Sequence, residues 1–194
     1  MEKDQKQIVE SFKSVIEIMK EMAEDNDRSV VIVGAAHIDY LLKKILGRSL
    51  LPPIKPREDE LLEGDTPLAT FSARINMAYR MALIDKEFAR SLHMLKKIRN
   101  SFAHEPKSKK LTDSPHSDRV RELLRNIEQG SVLTTLKSHF DKNGIDDQSL
   151  DFRIIISLMV AVLELKSINL PKSIKANPAS ITWIPSDVCI ESQV

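Results

Sequence analysis

The chain has 194 residues, with 29 Lys and Arg against 28 Asp and Glu, a formal charge of +1. That length supports one domain with a real core, and near-neutrality excludes a global basic signal for nucleic acid, so any polyanion site must be a local patch. Hydrophobic residues make up 42% and charged residues 29%, the balance of an ordinary soluble globular protein. A single cysteine, Cys189, excludes an intramolecular disulfide and a cysteine-based zinc site. The first eight residues include Glu2, Lys3, Asp4 and Lys6 and do not resemble a signal peptide. The longest apolar run, about Ile154–Leu165, is too short to span a bilayer. A cytoplasmic, non-membrane protein is expected.

Only 5 residues are Gly, and the 9 prolines cluster so that 1–51, 68–105 and 116–170 contain none. Long stretches free of proline and poor in glycine are what helices need. Residues 4–24 place Ile8, Phe12, Val15, Met19 and Met22 at alternating four- and three-residue steps, an amphipathic helix. Asp27 is the expected N-cap of a second helix over 28–46, apolar on more than one face and so expected to be central, with Gly47 as its stop. A proline-rich loop covers 48–67, with room for a helical turn at 58–63. A third helix is expected over 68–83, and Asp85 caps a fourth over 86–104 whose core side is Phe88, Leu92, Leu95, Ile98 and Phe102. Pro106 stops it, and Glu105–Asp118 reads as a loop. Helices near 118–129 and 149–167 follow. The fold class is therefore all-α: a single compact bundle of about six helices over 1–168. Residues 169–194 form an extended C-terminal tail with a β-like run at Ile181–Ile184.

The stretch from Lys96 to Glu105 carries the chemistry. Arg99, Asn100 and His104 stand at the end of a helix. Arginine is always charged and clamps phosphate with two donors, and histidine exchanges protons near neutral pH. Together they suit RNA cleavage by the ribose 2′-hydroxyl, in which one group moves the proton and the other neutralises charge on the phosphorane-like transition state. Arg99 and His104 are five residues apart, about 140° around an ideal helix, whereas Asn100 and His104 share a face. A site using all three is easier where two copies of the helix meet at a two-fold axis, so the motif argues for a homodimer. Residues 85–110 hold eight basic against three acidic residues. Among the basic ones, Lys96, Lys97, Lys107, Lys109 and Lys110 are candidate RNA-binding residues. The plain alternatives are a solvated lysine-rich face, and structural roles for Arg99 and His104 in pairing with a carboxylate and with the helix dipole. His37 is expected in the core. His93, His116 and His139 show no metal-ligand spacing, and no metal or cofactor is expected.

Arg99-Asn100-Ser101-Phe102-Ala103-His104 resembles the signature of the HEPN superfamily, all-α domains that include metal-independent ribonucleases. Pro67–Ile75, Ala78-Tyr79, Leu83-Ile84 and the helix from Asp27 to Leu46, with Asp39-Tyr40-Leu41-Leu42, resemble the mannitol operon repressor family. The likeness spans about residues 26–130. It implies, for the ribonuclease branch, catalytic Arg99 and His104 with Asn100 supporting their geometry. Arg74 and Asp39 fall in the matching upstream helices as accessory polar residues or as a structural salt bridge. The repressor branch implies a non-catalytic regulator acting through protein partners and lacking the intact Arg–His pair; this chain has the pair, which favours the nuclease branch. The nuclease reading implies RNA as substrate, a toxin–antitoxin, defence or regulatory setting, and a cognate protein partner or antitoxin. Direct DNA binding is disfavoured, because no helix-turn-helix is visible. The nuclease reading expects Arg99 and His104 to line one solvent-open cleft at a dimer axis, and the regulator reading expects them buried in intrachain pairs with an apolar surface exposed elsewhere.

Overall fold

A computed structural model of the chain describes residues 13, 15, 17–22, 25–53, 55, 59–104, 110–125, 137 and 147–170. The expected C-terminal tail beyond Leu170 with Trp183 and Cys189, the start of the N-terminal helix, His139, Lys107 and Lys109 lie outside these residues. The fold is an all-α bundle, with no strand among the described residues. Its helices are α1 (Asp27–Ser49), α2 (Phe71–Arg80), α3 (Lys86–His104), α4 (His116–Arg125) and α5 (Asp147–Asn169). Residues 17–22 are also helical, and Val15, Met19 and Met22 are buried in the common core. Among the described residues no helix is long and apolar enough to cross a membrane.

The most enclosed helix is α5. Every residue from Ser149 to Ser157 is buried, because an apolar run such as Ile154-Ile155-Ile156 leaves no polar face to turn outward. As the sequence pattern expects, α1 is central, packing against α2, α3 and α5. It buries Val31, Ile38, Leu42 and Ile45 and turns one narrow side, with Val33 and Tyr40, to solvent at 59% and 61% exposure. His37 follows that outward side and is half-exposed rather than in the core.

Helices α1 and α5 run parallel, tied at both ends. At the N-terminal end the cap is Asn26, whose Oδ1 accepts from Ser29 N at 3.0 Å. Asp27 therefore sits one residue inside the helix, not at the expected cap, and its carboxylate turns inward. It accepts from Leu111 N (2.9 Å) and Ser149 Oγ (2.6 Å), and lies 3.6 Å from Arg153 Nη1. Arg153 is buried and spends its other donors on backbone carbonyls, Met22 O at 3.1 Å, Asp25 O at 2.6 Å and Ser149 O at 3.1 Å. A buried guanidinium needs this many acceptors to offset its lost hydration. At the other end Arg48 donates to the backbone oxygen and hydroxyl of Ser167. Between the two ties, Gly34 faces Ile156 so closely that a Cβ there would stand 2.8 Å from Ile156 Cγ2.

Gly47 does not stop α1, which continues to Ser49. A helical glycine costs only about 1 kcal/mol, and the residues beyond it are held in the last turn: Arg48 donates to Ser167, and buried Ser49 donates from Oγ to Ile45 O at 2.9 Å. The chain then reaches Pro52 and Pro53, and Asp59 Oδ1 accepts from Leu61 N and Leu62 N to form the turn expected near 58–63. Thr70 caps α2, three residues later than expected, through Ala73 N at 3.2 Å. Helix α2 closes with Ala82 N bonded to Tyr79 O and Leu83 N to Ala78 O, which places Ala82 at φ 54°. Asp85 caps α3 as expected, accepting from Phe88 N at 2.8 Å. Helices α2 and α3 form an antiparallel hairpin that packs on α1, and α4 bridges α3 and α5.

Three stability outcomes follow from these contacts. Gly34→Ala overpacks the α1–α5 contact and lowers stability by about 1–2 kcal/mol in urea melts; adding Ile156→Ala costs less in that background than in the parent chain. Arg153→Met leaves Asp27 without its cation and lowers stability by about 3–5 kcal/mol. Ala82→Gly relieves a left-handed alanine and raises stability by about 0.5–1 kcal/mol.

Candidate functional site

Helix α3 has two faces. Ala89, Leu92, Leu95, Ile98 and Phe102 are buried, and they hold the helix in one rotational setting. That setting turns the opposite side outward. His104 and Lys97 are exposed; His93, Lys96, Arg99 and Asn100 are half-exposed. Arg99 starts from the core side of the helix, about 140° around from His104, and is half-exposed only because it lies near the helix end. Its guanidinium donates from Nη1 to Asn100 Oδ1 at 3.0 Å, which draws the cation toward the side that Asn100 and His104 share. No described ion pair involves Arg99 or His104. The two groups lie at an open surface.

The last turn of α3 is held from beneath by a residue that the sequence pattern passed over. His116, the first residue of α4, is wholly buried. Its Nε2 lies 3.3 Å from Ser101 Oγ, and its ring packs on Phe102 with centroids 4.9 Å apart at 53°. Ser101 and Phe102 belong to the Arg99–His104 stretch, so His116 fixes the backbone that presents Arg99, Asn100 and His104. Ligand spacing was the wrong test for it. The useful signal is that His116 leads the buried stripe Val120, Leu123, Leu124 at helical steps.

Arg74 and Asp39 meet elsewhere. Arg74 Nη1 donates to Asp39 Oδ1 at 2.8 Å, and Nη2 donates to Leu62 O at 3.2 Å. Both charged groups are thereby engaged in a largely buried clamp joining α1, α2 and the turn before α2. Of the lysines, Lys97 lies on the outward face of α3 and Lys96 at its edge. Lys110 is exposed beyond the undescribed 105–109, and its backbone N–H donates to Asp113 Oδ2 at 2.9 Å. Among the described residues no group of three or more His, Cys, Asp or Glu could hold a metal ion.

His93 lies on the same outward face and is a second group that sequence reasoning left aside. Its Nε2 pairs with Asn76 Oδ1 of α2 at 2.9 Å. Partial burial holds its pKa below the ordinary 6.5, and the positive charges of Lys96 and Lys97 push the same way. The imidazole is therefore neutral at pH 7 and donates Nε2–H to the asparagine oxygen.

No protein-family model, curated protein or solved structure matches the chain. The HEPN and mannitol-repressor resemblances therefore rest on the residues themselves.

Because the folded state binds the His93 proton more weakly than the unfolded state, the stability this group contributes is complete above pH 6.5. It is lost as pH falls through the depressed folded value. In a proton NMR titration His93 should show a midpoint below 6.5, and replacing Lys96 and Lys97 by Gln should move that midpoint up.

Proposed function

We propose that the protein is a metal-independent endoribonuclease of the HEPN type, working as a homodimer. The observation that supports this most is the Arg99–Asn100 hydrogen bond, which turns the guanidinium toward the open face that carries His104, with no described carboxylate engaging either side chain. In this reading His104 accepts the proton of the ribose 2′-hydroxyl, and the 2′-oxygen attacks the adjacent phosphorus. Arg99 neutralises the charge that builds on the non-bridging oxygens. The bond from phosphorus to the 5′-oxygen breaks, and His104 returns its proton to that oxygen. The products are a 2′,3′-cyclic phosphate and a free 5′-hydroxyl. Asn100 sets the guanidinium, and Ser101, Phe102 and His116 hold the supporting turn. A second copy meeting this end of α3 would bring two such sets together and exclude water from the reacting phosphate. A cognate protein partner or antitoxin fits a regulatory, toxin–antitoxin or defence setting.

A second reading has its own observation. Val33 and Tyr40 stand exposed on one side of α1 with Ala36 between them, an apolar surface at helical spacing. It favours a non-catalytic regulator that works by protein contact, in the manner of the mannitol operon repressor family.

Incubation of total RNA and tRNA with the protein in EDTA separates the two. The nuclease reading predicts cleavage to 2′,3′-cyclic phosphate ends, reduced about 10²–10⁴-fold in both Arg99→Ala and His104→Ala. Cleavage that survives in both variants, or a folded dimer that cuts neither substrate, favours the regulator reading.

A further inference from the structure

The outward face of α3 is longer than the site at its end. Lys86, Arg90, His93, Lys97, Asn100 and His104 follow one another at steps of four, three, four, three and four residues. That alternation keeps all six on one side of the helix. Burial agrees: Lys86, Arg90, Lys97 and His104 are exposed, and His93 and Asn100 half-exposed. At 1.5 Å per residue the row is about 27 Å long. Among the described residues of this segment its carboxylate neighbours are Asp85, which caps the helix at Phe88 N, and Glu87, 3.5 Å from Arg90 in a pair well exposed at both ends, an interaction that water and salt screen heavily. The row contains no apolar side chain, which removes the means of entering a lipid interface. Its like charges also oppose a second copy lying along it, so a two-fold contact is confined to the His104 end.

We propose that this row is a binding track for single-stranded RNA, which lays its phosphates along α3 from Lys86 toward the cleavage site at His104. The inference rests on RNA being the ligand of that site and adds how the strand reaches it. Lys86 and Arg90 stand four and more turns from His104, so they hold the strand and take no part in the chemistry. Phosphates about 3.4 Å apart along a stacked strand fill about 27 Å with about eight nucleotides. A strand of that length engages the three full charges of the row, Lys86, Arg90 and Lys97, and passes His93 and Asn100 as neutral hydrogen-bonding groups.

The test measures binding in the His104→Ala protein, so that a failure of the cleavage reading leaves it interpretable. Fluorescein-labelled oligouridylates of about four, eight and twelve nucleotides are titrated by anisotropy over a salt series. Affinity should climb to about eight nucleotides and then level. Each cation removed from a single-stranded site takes about 0.7 from the slope of log K against log salt. Lys86→Gln with Arg90→Gln should therefore make the slope shallower by about 1.4, with unchanged circular dichroism. Lys20→Gln with Lys44→Gln, two exposed lysines off the row, should leave it unchanged. Equal losses in both pairs would mean diffuse attraction and overturn the track. So would absence of oligouridylate binding at low salt, or polyglutamate binding with the same dependence on Lys86 and Arg90, which would assign the row to an acidic protein.

Discussion

The rotation of α3 about its own axis is the constraint on which the rest depends. Leu92, Leu95 and Ile98 are wholly buried and Phe102 nearly so. Each returns about 2 kcal/mol on burial, whereas a single surface hydrogen bond or ion pair returns about 1 kcal/mol or less. The apolar stripe therefore decides which way the helix faces, and the polar residues take the side that is left. Because the stripe recurs at three- and four-residue steps, the residues left outside recur in the same way. A continuous cationic face is the geometric complement of a continuous core face.

That setting is held from outside α3 as well. Parallel α1 and α5 form the frame, locked at one end by Asp27 and Arg153 and at the other by Arg48 and Ser167. Replacing the Asp27–Arg153 knot wholesale by apolar residues would not necessarily weaken the fold, since desolvation offsets much of the attraction in a buried pair. Its five hydrogen bonds instead specify register: they join α1, α5, the carbonyls of Met22 and Asp25, and Leu111 at one point. From Leu111 the chain enters α4, and the first residue of α4 is His116, which braces Ser101 and Phe102. The frame thus reaches the Arg99–His104 turn through contiguous packing.

The helices of the core were legible in the sequence because their signals are local. Asp85 as a cap and the α3 stripe need no information from beyond a few residues, and both stand where the pattern placed them. What failed was tertiary. Asn26 and Asp27 are both good caps by residue type; the choice between them falls to Leu111, Ser149 and Arg153, more than eighty residues away. Gly47 reads as a stop until its buried neighbours are known. His37 reads as core because its helix is apolar on more than one face, and only the positions of α2, α3 and α5 show which side of α1 is free. At the candidate site Arg99, Asn100 and His104 were legible as residue types. The Arg99–Asn100 bond, the brace from His116 and the Arg74–Asp39 clamp were not, since each depends on side-chain directions or on elements distant in sequence.

The central claim is that the outward face of α3 is where this protein meets RNA. Photocrosslinking of 4-thiouridine-substituted RNA, read by mass spectrometry of the attached peptides, tests it without requiring turnover. The account predicts adducts concentrated between Lys86 and His104, on the outward residues of that helix. Adducts centred instead on the Val33–Tyr40 side of α1, or spread evenly over surface lysines, would contradict it.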